Sequence, residues 1–182
     1  MYNPFKKTYS QAEKEQINFL KGIRPFSKLA DDQLFVFVPY LYPRKYKKDE
    51  AVFFHKDPSQ AVYIVKSGMV SLSLERNGSF EELMQAGEQE CFGDNAFIHD
   101  THRLYNAIVT SEEADIFVLP QGNVTDIFES YPKIKASVLE SLLESYNGYT
   151  YSLFKAYKDS YGFFELKQAY NDSDYSERNH DI

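Results

Sequence analysis

The most constraining feature of the sequence is a series of short segments rich in Val, Ile, Phe and Tyr that runs from Tyr40 to Leu119. Turn residues separate these segments at nearly even spacing, which is typical of an all-β sandwich or barrel. Asn77-Gly78 lies between two of them and predicts a tight hairpin, since a type I′ turn favours residues that tolerate positive φ. The predicted strands are residues 40–46, 51–55, 61–66, 69–75, 80–85, 104–110 and 115–119.

Helices are predicted before this β region. Ser10 followed by Glu13 fits a capping box ahead of a one-sided apolar stripe, so a first helix is expected over residues 11–22. Asp31 is the expected N-cap of a second, short helix.

After the last predicted strand the pattern becomes helical again. Asn123 is the expected N-cap of a short helix, and Pro132 is expected to begin a longer one that continues to about Tyr157. In this longer helix one set of apolar residues recurs at intervals of three and four: Leu139, Leu142, Tyr146, Tyr149, Leu153 and Ala156. Further apolar residues lie on its other faces. Either these extra side chains only cover the β core, or the helix also pairs in parallel with the same helix of a second protomer.

The totals exclude several classes of protein. A chain of 182 residues suits one domain with a single substantial core. Its formal net charge of −7 gives no electrostatic reason to expect nucleic acid binding. No apolar run approaches the roughly 18 residues of a membrane span and no signal segment is evident, so we expect a cytoplasmic protein without membrane contact. The single cysteine, Cys91, excludes an internal disulfide and is expected to be a small buried hydrophobe.

One stretch of the β region, Phe92 to Val109, has the pattern of an anion site. Gly93 stands between an apolar residue and an acid, and the residues after it have room for only one or two helical turns. Arg103 then opens a new apolar segment. Helix N-terminal N–H groups and one guanidinium would hold an anion between them.

Three motifs, in order, resemble the cyclic nucleotide-binding domain, the regulatory β-roll of catabolite activator proteins, cyclic nucleotide-dependent kinases and gated channels. The similarity covers roughly residues 17–145. PFSKLADDQL resembles the helical lead-in, and VFFHKDPSQAVYIVKSGMVSL resembles two strands around a D-P turn. FGDNAFIHDTHR is similar to the phosphate-binding cassette, which in the family reads F-G-E-x-A and ends in P-R-A-A or P-R-A-S. The matching positions are Asp57, Pro58, Tyr63, Ile64, Ser67, Gly68, Phe92, Gly93, Ala96 and Arg103.

The resemblance implies a mainly β fold with flanking helices, a double-stranded β-helix of the jelly-roll kind with N-terminal helices and a long C-terminal helix. The implied divisions are a helical lead-in over residues 1–38, the β-roll over 39–131, a dimerisation helix over 132–161, and an acidic tail over 162–182 that we expect to be disordered.

The resemblance also implies a ligand, cAMP or cGMP, and no metal. In the family the cassette acid holds the ribose 2′-hydroxyl, the arginine pairs with the cyclic phosphate, and small residues after the arginine let the ligand approach the backbone. The implied ligand-binding residues here are Gly93, Asp94, Asn95, Ala96, Arg103 and Leu104.

Several positions depart from the family pattern. The cassette acid is Asp94, one methylene shorter than Glu, and His102 replaces the proline before the arginine. Leu104 and Tyr105 replace the two small residues after the arginine, and we expect Leu104 to fill part of the space for the ribose. Lys56 and Gln89 replace two glycines of neighbouring turns.

Phosphate recognition is expected to persist, because the N–H groups of Asn95 and Ala96 do not depend on side-chain identity. Arg103 has a second interpretation, as a strand-end arginine paired with Asp94 or Asp100 that closes the cassette without a ligand.

The histidines and the remaining polar residues suggest no chemistry. His99 and His102 are expected to be surface residues, since no further metal ligands follow at a recognisable spacing. No nucleophile and base pair appears, so we expect no enzymatic activity.

We therefore expect a non-enzymatic sensor, a homodimer in which ligand binding repositions the C-terminal helix. The alternative is a degenerate β-roll that binds no cyclic nucleotide and serves as a protein–protein interaction module. The residues after the long helix are few and acidic, so we expect neither a DNA-binding domain nor direct DNA binding.

Overall fold

The computed structural model describes residues 9–76 and 78–161. Eight strands form two antiparallel sheets, of order β1-β8-β3-β6 and β2-β7-β4-β5. The strands are β1 (Tyr42–Lys47), β2 (Ala51–Phe53), β3 (Ala61–Ser67), β4 (Val70–Arg76), β5 (Ser79–Ala86), β6 (Cys91–Phe92), β7 (Asn106–Val109) and β8 (Glu113–Pro120). Helices are α1 (Gln11–Lys21), α2 (Asp31–Phe35), α3 (Gln121–Ser130) and α4 (Pro132–Tyr161), with short 3-10 helices at Arg24–Phe26, Val38–Tyr40 and Asp94–Phe97. The expected β-roll with flanking helices and a long C-terminal helix is confirmed.

All seven predicted strands are present, with their ends shifted by one or two residues. The predicted hairpin is confirmed, because β4 pairs with β5 with Arg76 opposite Ser79 and Gly78 has φ 77°. Asn77 itself lies outside the described residues. The sequence prediction missed β6, which is two residues long and shows no alternation. This short strand sets Phe92 opposite Tyr63 of β3.

The helix starts were predicted with mixed success. The capping box of Ser10 and Glu13 is confirmed. Asp31 is not the N-cap of α2; Ala30 is, and its N–H donates to the side chain of Gln33 at 2.9 Å. Asn123 is not an N-cap either, because α3 begins two residues earlier, directly after Pro120.

The core has two parts. One lies between the helices and the first sheet and includes Ile17, Leu20, Phe26, Leu34, Ile64, Leu119 and Val138. The other fills the roll and includes Phe53, Val65, Val70, Leu72, Val109 and Ile116. Cys91 packs against the first part but is only half-buried, because β6 lies at the end of its sheet.

Helix α4 begins at Pro132 as predicted and has two different halves. Ile134, Val138 and Leu142 are buried against the roll and the N-terminal helices. From Tyr146 to Asp159 no side chain is buried. The apolar side chains of the first half therefore cover the core, and those of the second half do not. Within residues 9–76 and 78–161, no helix is long and apolar enough to cross a membrane.

Two glycines give a direct test of this fold. Gly68 turns the chain between β3 and β4 with φ 91°, and a Cβ there would lie 2.6 Å from the carbonyl oxygen of Glu113. Gly148 lies within α4, and a Cβ there would have nothing within 4 Å. We expect Gly68→Ala to lower the free energy of unfolding by about 2–4 kcal/mol. We expect Gly148→Ala to raise it by about 1 kcal/mol. Urea denaturation measures both, and effects of the same sign would contradict the assignment.

Candidate ligand site

The site is built around Gly93, which directly follows β6. Gly93 has φ 66°, a left-handed conformation that favours glycine. A Cβ at this position would lie 2.6 Å from Nη1 of Arg103 and 3.3 Å from the rings of Phe53 and Tyr63. No other residue fits here without moving its neighbours. The chain then forms the one-turn 3-10 helix Asp94–Phe97, as the short run after Gly93 predicted.

The backbone of Arg103 is fixed by the turn after β2. Its N–H donates to the carbonyl oxygen of Asp57 at 2.8 Å, and its carbonyl oxygen accepts from the N–H of Lys56 at 2.9 Å. Lys56 has φ 69° and Gln89 has φ 63°. Both positions where the resembling family has glycine thus keep a left-handed backbone despite their side chains.

The side chain of Arg103 turns inward and is 2% exposed. Its Nη1 donates to the carbonyl oxygen of Gly93 at 3.0 Å and its Nη2 to that of Ala61 at 2.8 Å. Its Nε has no hydrogen-bond partner. The guanidinium lies over the ring of Phe53, 4.2 Å from the centroid, and its burial lowers the pKa of Arg103.

The expected pairing of Arg103 with Asp94 or Asp100 is wrong. Within residues 9–76 and 78–161, no carboxylate lies within 4.0 Å of its nitrogens. Backbone carbonyl oxygens take the place of a carboxylate because the side chain enters the roll instead of following the surface. The positive charge of Arg103 therefore has no counter-ion among these residues.

The guanidinium lies over the rings of Phe53 and Tyr63, 4.2 and 5.3 Å from their centroids, and these rings pack with two others. We call Phe53, Tyr63, Phe92 and Tyr105 the aromatic cluster. Tyr63 stacks on Phe92 with centroids 5.3 Å apart, and Phe53 lies 5.4 to 5.9 Å from the other three. The sequence did not reveal this cluster, since its members come from separate segments that only the strand register brings together.

Tyr105 faces the cassette, and Leu104 does not. The hydroxyl oxygen of Tyr105 accepts a hydrogen bond from the N–H of Gly93 at 2.9 Å. Burial, with a smaller effect of the Asp94 charge, raises the pKa of Tyr105. Leu104 is 61% exposed, and its expected filling of the ribose space stays a prediction. Both residues precede β7, which begins at Asn106, so strand alternation does not set their directions.

Asp94 connects the cassette with α4. The hydroxyl of Tyr146 and the N–H groups of Asp94 and Asn95 lie beside its carboxylate and act to lower its pKa. Burial nevertheless raises the pKa of Asp94. The partly buried phenol of Tyr146 has a raised pKa as well, and burial likewise raises that of the Cys91 thiol. The contact with Tyr146 was not foreseen, because these two residues lie far apart in the sequence.

The remaining cassette groups are engaged within the turn. The N–H of Ala96 donates to the carbonyl oxygen of Gly93 at 3.1 Å. Contrary to the expectation, it is therefore not open to an anion. The N–H of Asn95 lies beside the Asp94 carboxylate. The side-chain amide of Asn95 donates to the carbonyl oxygen of His102 at 2.6 Å and holds the ends of the loop together.

The histidines of the loop are exposed, as expected. His99 lies 3.5 Å from the hydroxyl of Thr125, and His102 contributes only backbone contacts to the cassette. In the part of the chain that the structure describes, no three His, Cys, Asp or Glu side chains are grouped so as to hold a metal ion.

Two antiparallel sheets, a one-turn helix after a left-handed glycine and a buried arginine ten residues later define a β-roll whose cassette is closed by the arginine. The family model described as "Cyclic nucleotide-binding domain" matches residues 43–131. This segment therefore belongs to the cyclic nucleotide-binding domain family, and the family resemblance of the sequence is confirmed.

Individual proteins show the same relationship. The cyclic AMP receptor protein of Thermus thermophilus is 26% identical over 116 residues, which are 63% of this chain and 53% of the relative. The N-terminal domain of a transcriptional regulator from Streptomyces coelicolor has a TM-score of 0.65 at 18% identity, over 74% of this chain and 94% of that one. The regulatory domain of Toxoplasma gondii PKA with cAMP has a TM-score of 0.60 at 18% identity, over 66% and 46% of the two chains. The chain thus spans about half the length of the curated relative, and the matched proteins are regulators or regulatory domains.

The raised pKa of Asp94 gives a prediction with a definite sign. Below its ordinary value of 3.8 the carboxyl group is protonated in the folded and the unfolded chain. As the pH rises through the higher folded pKa, the unfolded chain releases the proton more readily, so the wild type loses folding free energy. Asp94→Asn removes this group, and the wild type should become less stable relative to the variant as the pH rises from about 4 toward neutral.

Urea denaturation across this range measures the difference. Asp100→Asn, a change at an exposed residue of the same loop, is the matched control. Arg103, Tyr105, Tyr146 and Cys91 face Asp94 and are unchanged in both proteins. A wild type that gains stability relative to Asp94→Asn as the pH rises would show that the charge of Arg103 outweighs burial.

Proposed function

We propose that the protein is a non-enzymatic regulatory domain that binds an anion of the cyclic nucleotide class, cAMP or cGMP, at Arg103. The observation that carries this proposal is the buried guanidinium without a counter-ion and with an unpartnered Nε. A buried charge is costly unless an opposite charge compensates it. A cyclic phosphate would supply that charge, and a charge-assisted hydrogen bond contributes about 1.5–3 kcal/mol. Membership of the family supports the same class of ligand.

The contacts between the cassette and the helices support a route for the signal. The side-chain amide of Gln121, at the start of α3, donates to the carbonyl oxygens of Ala96 at 2.9 Å and Ile98 at 2.8 Å. Phe97 stacks on Phe128 of α3 with centroids 6.0 Å apart. The Asp94 carboxylate lies beside the hydroxyl of Tyr146 of α4. A ligand that competes for Asp94 or shifts the 3-10 helix would change these contacts with α3 and α4. Such a ligand would favour a different placement of α4 against the roll, and this change would be the signal.

A second function is an interaction module that binds no cyclic nucleotide. It is favoured by the internal partners of the cassette, since the N–H of Gly93 is bonded to Tyr105 and both terminal nitrogens of Arg103 are bonded to carbonyl oxygens. In that case the roll would serve to present α4 to a protein partner.

In either function we propose that the chain forms a homodimer through the second half of α4. Leu143, Tyr146, Tyr149 and Leu153 recur every three or four residues, and Leu143 and Leu153 are 70% and 67% exposed. The roll leaves Leu143, Tyr149 and Leu153 largely uncovered. Pairing of two such helices would remove this apolar surface from water.

Calorimetric titration with cAMP and with cGMP tests the ligand. We expect binding by the wild type, and a loss of at least about ten-fold in affinity in Arg103→Ala, because the charge-assisted bond is removed. Arg103→Lys retains the charge and should lose less. Arg44→Ala, an exposed arginine of β1, is the control and should bind as the wild type. Circular dichroism confirms folding, and folded wild type that binds neither nucleotide would favour the interaction module.

Sedimentation at tens of micromolar tests the dimer. Leu153→Glu places a charge on the proposed contact face and should produce monomers, because the charge would be desolvated in the interface. Ser152→Glu introduces the same charge on a different face of the helix and should leave the dimer intact. A wild type that sediments as a monomer would refute the helix pairing.

A further inference from the structure

We propose that Tyr105 is a specificity-determining residue of the site and acts as an internal competitor that a ligand must displace from Gly93. This inference rests on the proposed binding function and adds what the chain itself contributes to the choice of ligand. Tyr105 stands two residues after Arg103, at a position where the resembling family has a small residue.

The phenol of Tyr105 occupies the corner of the cassette. Its oxygen accepts from the N–H of Gly93 at 2.9 Å, and its ring lies 5.8 Å from that of Phe53. On the other side of Gly93, the side chains of Arg103, Phe53 and Tyr63 leave no space for even one carbon atom. A ligand oxygen can therefore reach the Gly93 N–H only if the hydroxyl of Tyr105 leaves it.

The nearby N–H groups do not offer an alternative position. The N–H of Ala96 is bonded to the carbonyl oxygen of Gly93, and those of Asp94 and Asn95 lie beside the Asp94 carboxylate, whose negative charge opposes an anion there. Among the N–H groups of Gly93 and of the 3-10 helix, that of Gly93 is bonded to a neutral side chain from outside the turn, the phenol of Tyr105. It is therefore the one that a ligand can take over with the smallest rearrangement.

The nature of the present partner determines which ligands succeed. A neutral phenol makes a weaker hydrogen bond than an ionised oxygen does, and charge-assisted bonds are roughly twice as strong as neutral ones. The buried charge of Arg103 increases this preference for an anion. A neutral nucleoside gains nothing over Tyr105, whereas a cyclic phosphate gains at both groups. Tyr105 thus makes binding depend on the phosphate and lowers the affinity for every ligand.

The experiment compares the wild type with Tyr105→Phe and Tyr105→Ala. Tyr105→Phe keeps the ring and removes the hydroxyl, so it releases the Gly93 N–H with little change of packing. Tyr105→Ala also opens the corner. Tyr131→Phe, a phenol between α3 and α4 that is 48% exposed, is the matched control. The probe is 3′,5′-cyclic AMP in calorimetric titration, and the second readout is hydrogen exchange of the Gly93 amide without ligand.

We expect Tyr105→Phe to bind cAMP about two- to ten-fold more tightly than the wild type, which corresponds to the net strength of one neutral hydrogen bond. Its Gly93 amide should exchange faster, and Tyr131→Phe should resemble the wild type in both measurements. Adenosine, which lacks the phosphate, should give no detectable heat with the wild type.

Three results would overturn the proposal, and they are distinguishable. Binding of cAMP that depends on Arg103 but is unchanged or weaker in both Tyr105 variants would exclude competition and leave the proposed function standing. Absence of cAMP binding in folded wild type, Tyr105→Phe and Tyr105→Ala alike would refute both. Faster exchange of the Gly93 amide without a gain in affinity would show a hydrogen bond that no ligand contests, and would also refute the proposal.

Discussion

The arrangement of the site depends on the two hydrogen bonds that the Arg103 guanidinium donates to the carbonyl oxygens of Gly93 and Ala61. They join the cassette to the start of β3 and hold the left-handed turn at Gly93 against the aromatic cluster. Because the guanidinium lies 4.2 Å from the centroid of Phe53, the ring face supplies part of the stabilisation that water would otherwise give. Carbonyl oxygens and ring faces solvate the charge without neutralising it. The two terminal nitrogens of Arg103 thus have hydrogen-bond partners without a ligand, while its positive charge remains available to attract an anion.

Two kinds of contact continue from this turn to the helices. Gln121 donates to the carbonyl oxygens of Ala96 and Ile98, and Phe97 stacks on Phe128, so α3 is joined to the 3-10 helix by hydrogen bonds and by packing. The hydroxyl of Tyr146 lies beside the Asp94 carboxylate at the edge of the core, where α4 leaves the roll. The first connection is buried in the core, whereas the second joins two polar side chains outside it.

Much of the fold could be predicted because the residues that carry it act locally. Gly68 and Gly93 are required by positive φ and by neighbours within 3 Å of a Cβ, the capping box is closed between Ser10 and Glu13, and alternation in β4 reveals its buried face. The site was less predictable because it depends on a bend and on distant pairs. Leu104 and Tyr105 lie in the bend before β7, where no alternation shows that Tyr105 faces Gly93. The partners of Arg103 and Asp94 come from β3 and α4, and no local pattern reveals such pairs.

The substitutions that weaken the family pattern act together. The shorter Asp94 lies beside the hydroxyl of Tyr146 and N–H groups of its own turn, and the phenol of Tyr105 accepts from the N–H of Gly93. The Gly93 donor therefore carries no desolvation penalty in the absence of a ligand. None of the ion pairs formed by the described residues includes Arg103, so its charge is not neutralised. A buried charge without a counter-ion is costly, and an anion held beside Arg103 would lower that cost.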